Sequence, residues 1–107
     1  MKEFKQLGAY GLVINDNKIL LIKKSGGPYD GKLDLPGGTI EFYESIEYAL
    51  KRELNEEVGI EIIDYNLFDV VSTNISWNHK GELLETKHIA ILYKINEFKN
   101  DIKKEVK

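Results

Sequence analysis

The stretch from Gly38 to Ile60, GTIEFYESIEYALKRELNEEVGI, constrains this 107-residue chain more than any other. Its second half predicts an α-helix over about Ser45 to Val58, with Gly59 in the left-handed position that ends many helices. On that helix Ile46, Ala49, Leu50, Leu54 and Val58 form an apolar stripe, so the helix is expected to lie against a sheet. Glu53 stands one turn from both Glu56 and Glu57, which puts three carboxylates in one sector of roughly 100°, bordering the buried side. Like charges one turn apart cost about 0.2–0.5 kcal/mol per pair. The helix dipole also disfavours negative charge in the last turn. A chain that keeps both penalties is expected to offset them with a cation. Hard divalent ions with oxygen ligands, Mg²⁺ above all, suit such a carboxylate set.

The charge of the remaining chain narrows the function classes. Between Glu41 and Glu57 six glutamates face only Lys51 and Arg52, a local net charge of −4 in a chain of net charge −3. The rest is nearly neutral, with neither the basic stripe of a nucleic-acid groove nor a polybasic membrane surface. Hydrophobic and charged fractions of 42% and 31% describe an ordinary globular chain, and the length suits one domain spanning residues 1–107. No cysteine is present, which excludes disulfides and thiol chemistry and fits a reducing, cytoplasmic setting. The first residues, MKEFKQLGAYGLVI, lack the apolar run and cleavage site of a signal peptide, and nothing is long and apolar enough to span a bilayer.

Around the central stretch the pattern alternates between strand and turn. Leu7 to Ile14 and Lys18 to Lys24 read as a hairpin across Asn15-Asp16-Asn17. Ser25 to Lys32 is a loop with three glycines and Pro28, and Thr39 to Phe42 is expected to form a brief strand. Glu61 to Trp77 and Thr86 to Ile95 predict a long antiparallel pair, and Asn96 to Lys107 a charged tail, either a frayed helix or an open end. This order implies an α+β fold with a mixed or antiparallel sheet and the acidic helix packed on it.

Read as G-x5-E-x7-R-E-U-x-E-E-x-G-U, with U a bulky aliphatic, the pattern is met at Gly38, Glu44, Arg52, Glu53, Leu54, Glu56, Glu57, Gly59 and Ile60. In this box, and in the preceding Leu35-Pro36-Gly37-Gly38, the chain resembles the Nudix (MutT-like) hydrolases. So spaced a motif is far more specific than a lone glycine-rich loop. The resemblance implies a Nudix-type α/β/α sandwich with a mixed sheet and a catalytic helix. It also implies hydrolysis of a pyrophosphate bond in a nucleoside diphosphate linked to another group, with Mg²⁺ or Mn²⁺. By resemblance Glu53, Glu56 and Glu57, with the Gly38 carbonyl, would hold the metal, and Glu53 is also a candidate general base. Arg52 would orient the catalytic glutamates, and Glu44 would support the metal shell through water. Lys23, Gly37 and Glu105 are candidates for substrate contact, Glu105 as the extra loop glutamate that many relatives add, with Glu82 and Glu85 less well placed.

Taken singly, each of these residues has an ordinary structural explanation; at fixed spacing together they point to metal-dependent hydrolysis. Tyr10, Tyr29 and Trp77 could stack on a base but are expected in packing roles, and His79 and His88 lack the spacing of metal ligands. Two departures from the family pattern stand out. Leu33 replaces the tryptophan that many relatives place before the Leu-Pro-Gly-Gly run, and the chain stops at Lys107, before the family's C-terminal strand and helix. The second implies a shortened domain or a homodimer partner over an exposed core edge. The alternative reading is a nucleotide-binding or regulatory Nudix domain with little catalysis; a purely structural acidic-helix protein is the third. Pro36 is the last proline, so the proline of ADP-ribose-directed relatives downstream of the box is absent. The longer array of NADH-directed relatives is not visible either. Elimination favours nucleoside triphosphates, including oxidised ones.

Overall fold

A computed structural model describes residues 1–102. Strand β1 (Lys2–Asn15) turns through Asp16 and Asn17, both at positive φ, into β2 (Lys18–Ile19). The chain then leaves this sheet. β3 (Ile22–Lys23) pairs instead with β4 (Leu33–Asp34) in a separate two-stranded sheet. The return strand expected over Lys18 to Lys24 is therefore two pieces, broken at Leu20-Leu21. Strand β5 (Gly37–Thr39) lies antiparallel to β1, and α1 (Ile46–Val58) follows. The brief strand before the helix thus lies at Gly37–Thr39, two residues ahead of the expected Thr39 to Phe42 and sharing Thr39 with it.

The long strands β6 (Glu61–His79) and β7 (Glu82–Lys99) form an antiparallel hairpin. Its two-residue turn, Lys80 and Gly81 at φ 51 and 83, has the geometry that matches the right-handed twist of the flanking strands. β7 also pairs in parallel with β1 from Lys2↔Leu84 to Val13↔Ile95. The sheet is therefore mixed, in the order β2-β1-β7-β6, with β5 also on β1. β1 starts at Lys2 and β7 runs to Lys99, both beyond the bounds read from apolar patterning. Backbone pairing with β7 and β6 carries these polar ends regardless of their side chains. The stretch from Asn96 to Lys99 is thus strand, not a frayed helix.

The helix begins where its sequence says it should. The Ser45 hydroxyl accepts a hydrogen bond from the Tyr48 N–H at 3.1 Å, and Gly59 at φ 76 donates its N–H to Asn55 O. Ala49, Leu50, Leu54 and Val58 are completely buried, and the last three pack in one core with Ala9, Val13, Ile22, Ile60, Ile62 and Ile95. Ile46, at the helix start, is 39% exposed and falls outside this core. The core thus lies on one face of the sheet, and it fixes the rotation of α1 so that Glu53 and Glu57 turn toward β5. Among the described residues no helix is long and apolar enough to cross a membrane.

Candidate active site

Two glycines bring β5 against both β1 and the helix. Gly37 has φ 141, and a Cβ there would lie 2.2 Å from Ala9 O, so only glycine fits. At Gly38 the limit is different: a Cβ would lie 2.6 Å from Glu53 Oε2 and 2.8 Å from Oε1. The Glu53 carboxylate therefore rests directly on the bare backbone of Gly38.

Arg52 organises the acidic groups around that contact. Its guanidinium grips Glu44 with two bonds, from Nε to Oε2 and from Nη2 to Oε1, the latter at 2.8 Å. Nη1 donates to Glu53 Oε1 at 2.9 Å and to Glu56 Oε2 at 3.2 Å, and Nη2 reaches Thr39 O at 3.2 Å. Such a planar fork fixes its partners' orientation as well as their charge. Glu44 also accepts from the Glu41 N–H, and its carboxyl is held below the usual range, chiefly by the Arg52 hydrogen bond. The pairing with Glu44 in turn raises the Arg52 pKa further.

The three helix glutamates occupy different surroundings. The Glu53 side chain is 15% exposed and Glu56 58%. Burial raises the Glu53 pKa, the Arg52 contact opposes this, and the charges of Glu57 and Glu56 add to the rise. Glu57 accepts from the Gly37 N–H at 2.6 Å and from Lys24 Nζ at 3.2 Å on both oxygens. Lys24 Nζ also donates to Gly37 O at 2.8 Å. Among the described residues no three acidic or imidazole side chains converge as a ready-made metal cluster. The donors themselves suit a hard divalent ion: carboxylates of Glu53, Glu56 and Glu57 and a backbone carbonyl at a glycine stripped of side chain.

The structure thus brings Gly37, Gly38, Glu44, Arg52, Glu53 and Glu57 together at one end of the β1–β5 pair, with Glu56 at the rim. Lys23 does not join them. In β3 Ile22 points into the core and Lys23 is exposed, while Lys24 turns back to the site. Glu105 lies outside the described residues. Glu82 and Glu85 lie elsewhere on the sheet: Glu85 pairs across from Glu3, six positions from the level of Ala9 and Gly38, about 20 Å along the strand.

Two cavities meet beside the acidic corner. One, about 190 Å³, is lined by Lys24, Gly26, Gly27, Gly37, Gly38 and Glu57. The other, about 280 Å³ and mostly apolar, lies on the sheet face away from α1, among Leu35, Val71, His88, Ala90 and Leu92. Tyr10, Tyr29 and Asp34 line both. His88 is 4% exposed and satisfied at each ring nitrogen, by the Tyr10 hydroxyl at 2.9 Å and the Tyr29 hydroxyl at 2.8 Å. Burial lowers its pKa, helped by the Lys24 charge and opposed by Asp34. Burial likewise pushes the Tyr10 hydroxyl up. Trp77 donates its indole N–H to Thr86 in the β6–β7 hairpin, a packing role.

Comparison with known proteins places this geometry in a wider group. The NUDIX domain family matches residues 5–105. An ADP-ribose pyrophosphatase of Methanocaldococcus jannaschii is 48% identical over 50 residues, which cover 47% of this chain and 30% of that protein. An 8-oxo-dGTP diphosphatase of Escherichia coli is 40% identical over 63 residues, covering 57% of this chain and 49% of that one. The chain therefore spans less than half the length of these curated relatives. Among solved structures, a MutT NUDIX hydrolase from Burkholderia pseudomallei superposes with a TM-score of 0.75 at 28% identity, covering 92% of this chain and 72% of the other. A mutator MutT protein from Bacillus halodurans gives 0.71 at 28% identity, covering 94% and 62%.

Proposed function

Because the chain belongs to the NUDIX domain family, we propose that it is a pyrophosphohydrolase acting on a nucleoside diphosphate derivative, a nucleoside triphosphate foremost, with Mg²⁺ or Mn²⁺. One observation carries the reading: Glu53 lies on the bare backbone of Gly38 and is held there by an arginine whose remaining bonds go to Glu44, Glu56 and Thr39. A helix built only to pack or to dissolve needs no such arrangement. Glu53, Glu56, Glu57 and the Gly38 carbonyl would hold the ion. When bound, such an ion neutralises phosphate charge and lowers the pKa of a coordinated water.

The side chains divide the remaining work. Arg52 steadies Glu53 through Oε1, so the carboxylate that would share in holding the ion is also set to act as general base toward the attacking water. Attack on phosphorus breaks the bond to the bridging oxygen, which leaves with the departing phosphate group. Glu44 keeps Arg52 in place, so it acts through position rather than contact. The small cavity, lined by Lys24 and the glycine loop, would take the phosphates. The apolar cavity suits the base, with the Asp34 carboxylate able to accept from ring or amino N–H groups. Their shared wall of Tyr10, Tyr29 and Asp34 lets one extended nucleotide occupy both.

Self-association as a homodimer, through the exposed edge strand β6 with Leu67, Phe68 and Val70 in solvent, belongs to the same proposal. So does a cytoplasmic setting. The experiment that tests the hydrolase reading is phosphate and pyrophosphate release from nucleoside triphosphates (oxidised ones included), ADP-ribose, NADH and nucleotide sugars, with and without Mg²⁺. Turnover highest on a triphosphate supports it. Nucleotide binding without turnover on any compound would favour a regulatory domain instead.

A further inference from the structure

Glu57, the helix glutamate that Arg52 does not reach, is paired with a second cation of the chain, Lys24. Lys24 Nζ stands 3.2 Å from each Glu57 oxygen and 2.8 Å from Gly37 O, with the two side chains only 15% and 21% exposed. Three oxygens thus surround one positive charge, and these are the hard donors that a divalent ion takes. The last turn of α1 holds no basic residue of its own, so the charge on Glu57 is answered from β3's end rather than from the helix. Glu57 would keep its position without the lysine, because the Gly37 N–H still binds Oε1 at 2.6 Å. The ammonium is therefore not needed to place the carboxylate, but it occupies both of the oxygens that a metal would use.

We propose that Lys24 is a resident cation that competes with the divalent ion for Glu57. It balances the acidic corner in the metal-free protein and is freed toward the glycine-lined cavity when the metal binds. The inference rests on the hydrolase reading above. A lysine serving only as a structural tie would have a different signature: its loss would lower stability without improving metal affinity.

Mn²⁺ alone, titrated into the full chain and followed by the electron paramagnetic resonance of the free ion, separates the two roles. Lys24→Gln is expected to melt at a lower temperature than wild type without metal, yet to bind Mn²⁺ roughly tenfold more tightly, the scale of one charge-assisted contact. Affinity that is unchanged or weaker overturns the proposal. Should the variant fail to fold, amine labelling of the wild type, read at Lys24 by mass spectrometry, decides the matter. Labelling is expected to rise several-fold at saturating Mn²⁺, and an unchanged rate overturns the proposal. If wild type binds no Mn²⁺ at all, the hydrolase reading falls together with the role of Lys24. If wild type binds Mn²⁺ and the variant binds it equally, only the role of Lys24 falls.

Discussion

Replacing Gly38 by alanine separates the site from the fold more sharply than any other change. The added Cβ would lie 2.6 Å from Glu53 Oε2, where ordinary contact begins at 3.4 Å, so the carboxylate must retreat by roughly 0.8 Å. The clash is with the far end of a flexible side chain, and Gly38 is not in the left-handed backbone region. The fold is therefore expected to absorb the change within about 1 kcal/mol, since alanine also reduces the freedom of the unfolded chain. Activity is expected to fall on the order of 10²-fold, because a misplacement near 1 Å in a reacting group has that effect. Gly37→Ala is the control: its Cβ would meet Ala9 O at 2.2 Å with φ at 141, a backbone collision that no side chain can relieve. Thermal melts and Mg²⁺-dependent pyrophosphate release on both variants give the comparison. Wild-type turnover in Gly38→Ala, or unfolding as severe as in Gly37→Ala, would refute the reasoning.

Arg52→Lys is expected to retain charge yet reduce turnover at least tenfold, because an ammonium cannot grip Glu44 with two bonds while also reaching Glu53; kcat of the two proteins checks this. Leu54→Ala is expected to destabilise by about 2–5 kcal/mol in urea titrations, since Leu54 is fully buried at the centre of the helix–sheet contact. Acid should weaken the protein through His88, which faces Tyr10, Tyr29, Asp34 and Lys24. Burial lowers its folded pKa below the ordinary 6.5, so the unfolded chain binds a proton that the folded one refuses. Stability from this source is complete above that value and declines as pH falls below it; denaturant midpoints measured across pH should show this limb in wild type and a flatter one in His88→Gln.

How much of this was legible in the sequence follows from the range of each interaction. The helix, its Ser45 and Gly59 caps and the Arg52–Glu56 pair depend on residues within one or two turns, and local spacing reveals them. Strand ends were less legible, because Lys2 to Gln6 and Asn96 to Lys99 are held by pairing with distant strands rather than by their own apolarity. Local alternation tells Lys23 and Lys24 apart. In β3 side chains alternate, so once Ile22 faces the core its partner on that side is Lys24. The grip of Arg52 on Glu44 spans 8 residues and left no signal beyond the shared motif. The His88 bridge had none, since Tyr10 and Tyr29 lie 78 and 59 residues away, Tyr10 meeting it through the β1–β7 pairing and Tyr29 from the connection between β3 and β4.

The central claim is that Glu53, held between Gly38 and Arg52, is the working carboxylate of a metal-dependent hydrolase. The most direct test compares Mg²⁺-dependent turnover of wild type and Glu53→Gln on whichever nucleotide the substrate panel favours, with melting curves to show that both are folded. Turnover in wild type is expected to vanish without Mg²⁺ and to fall by at least about 10²-fold in the folded variant, the scale of a lost general base. A folded Glu53→Gln protein with undiminished turnover would contradict it.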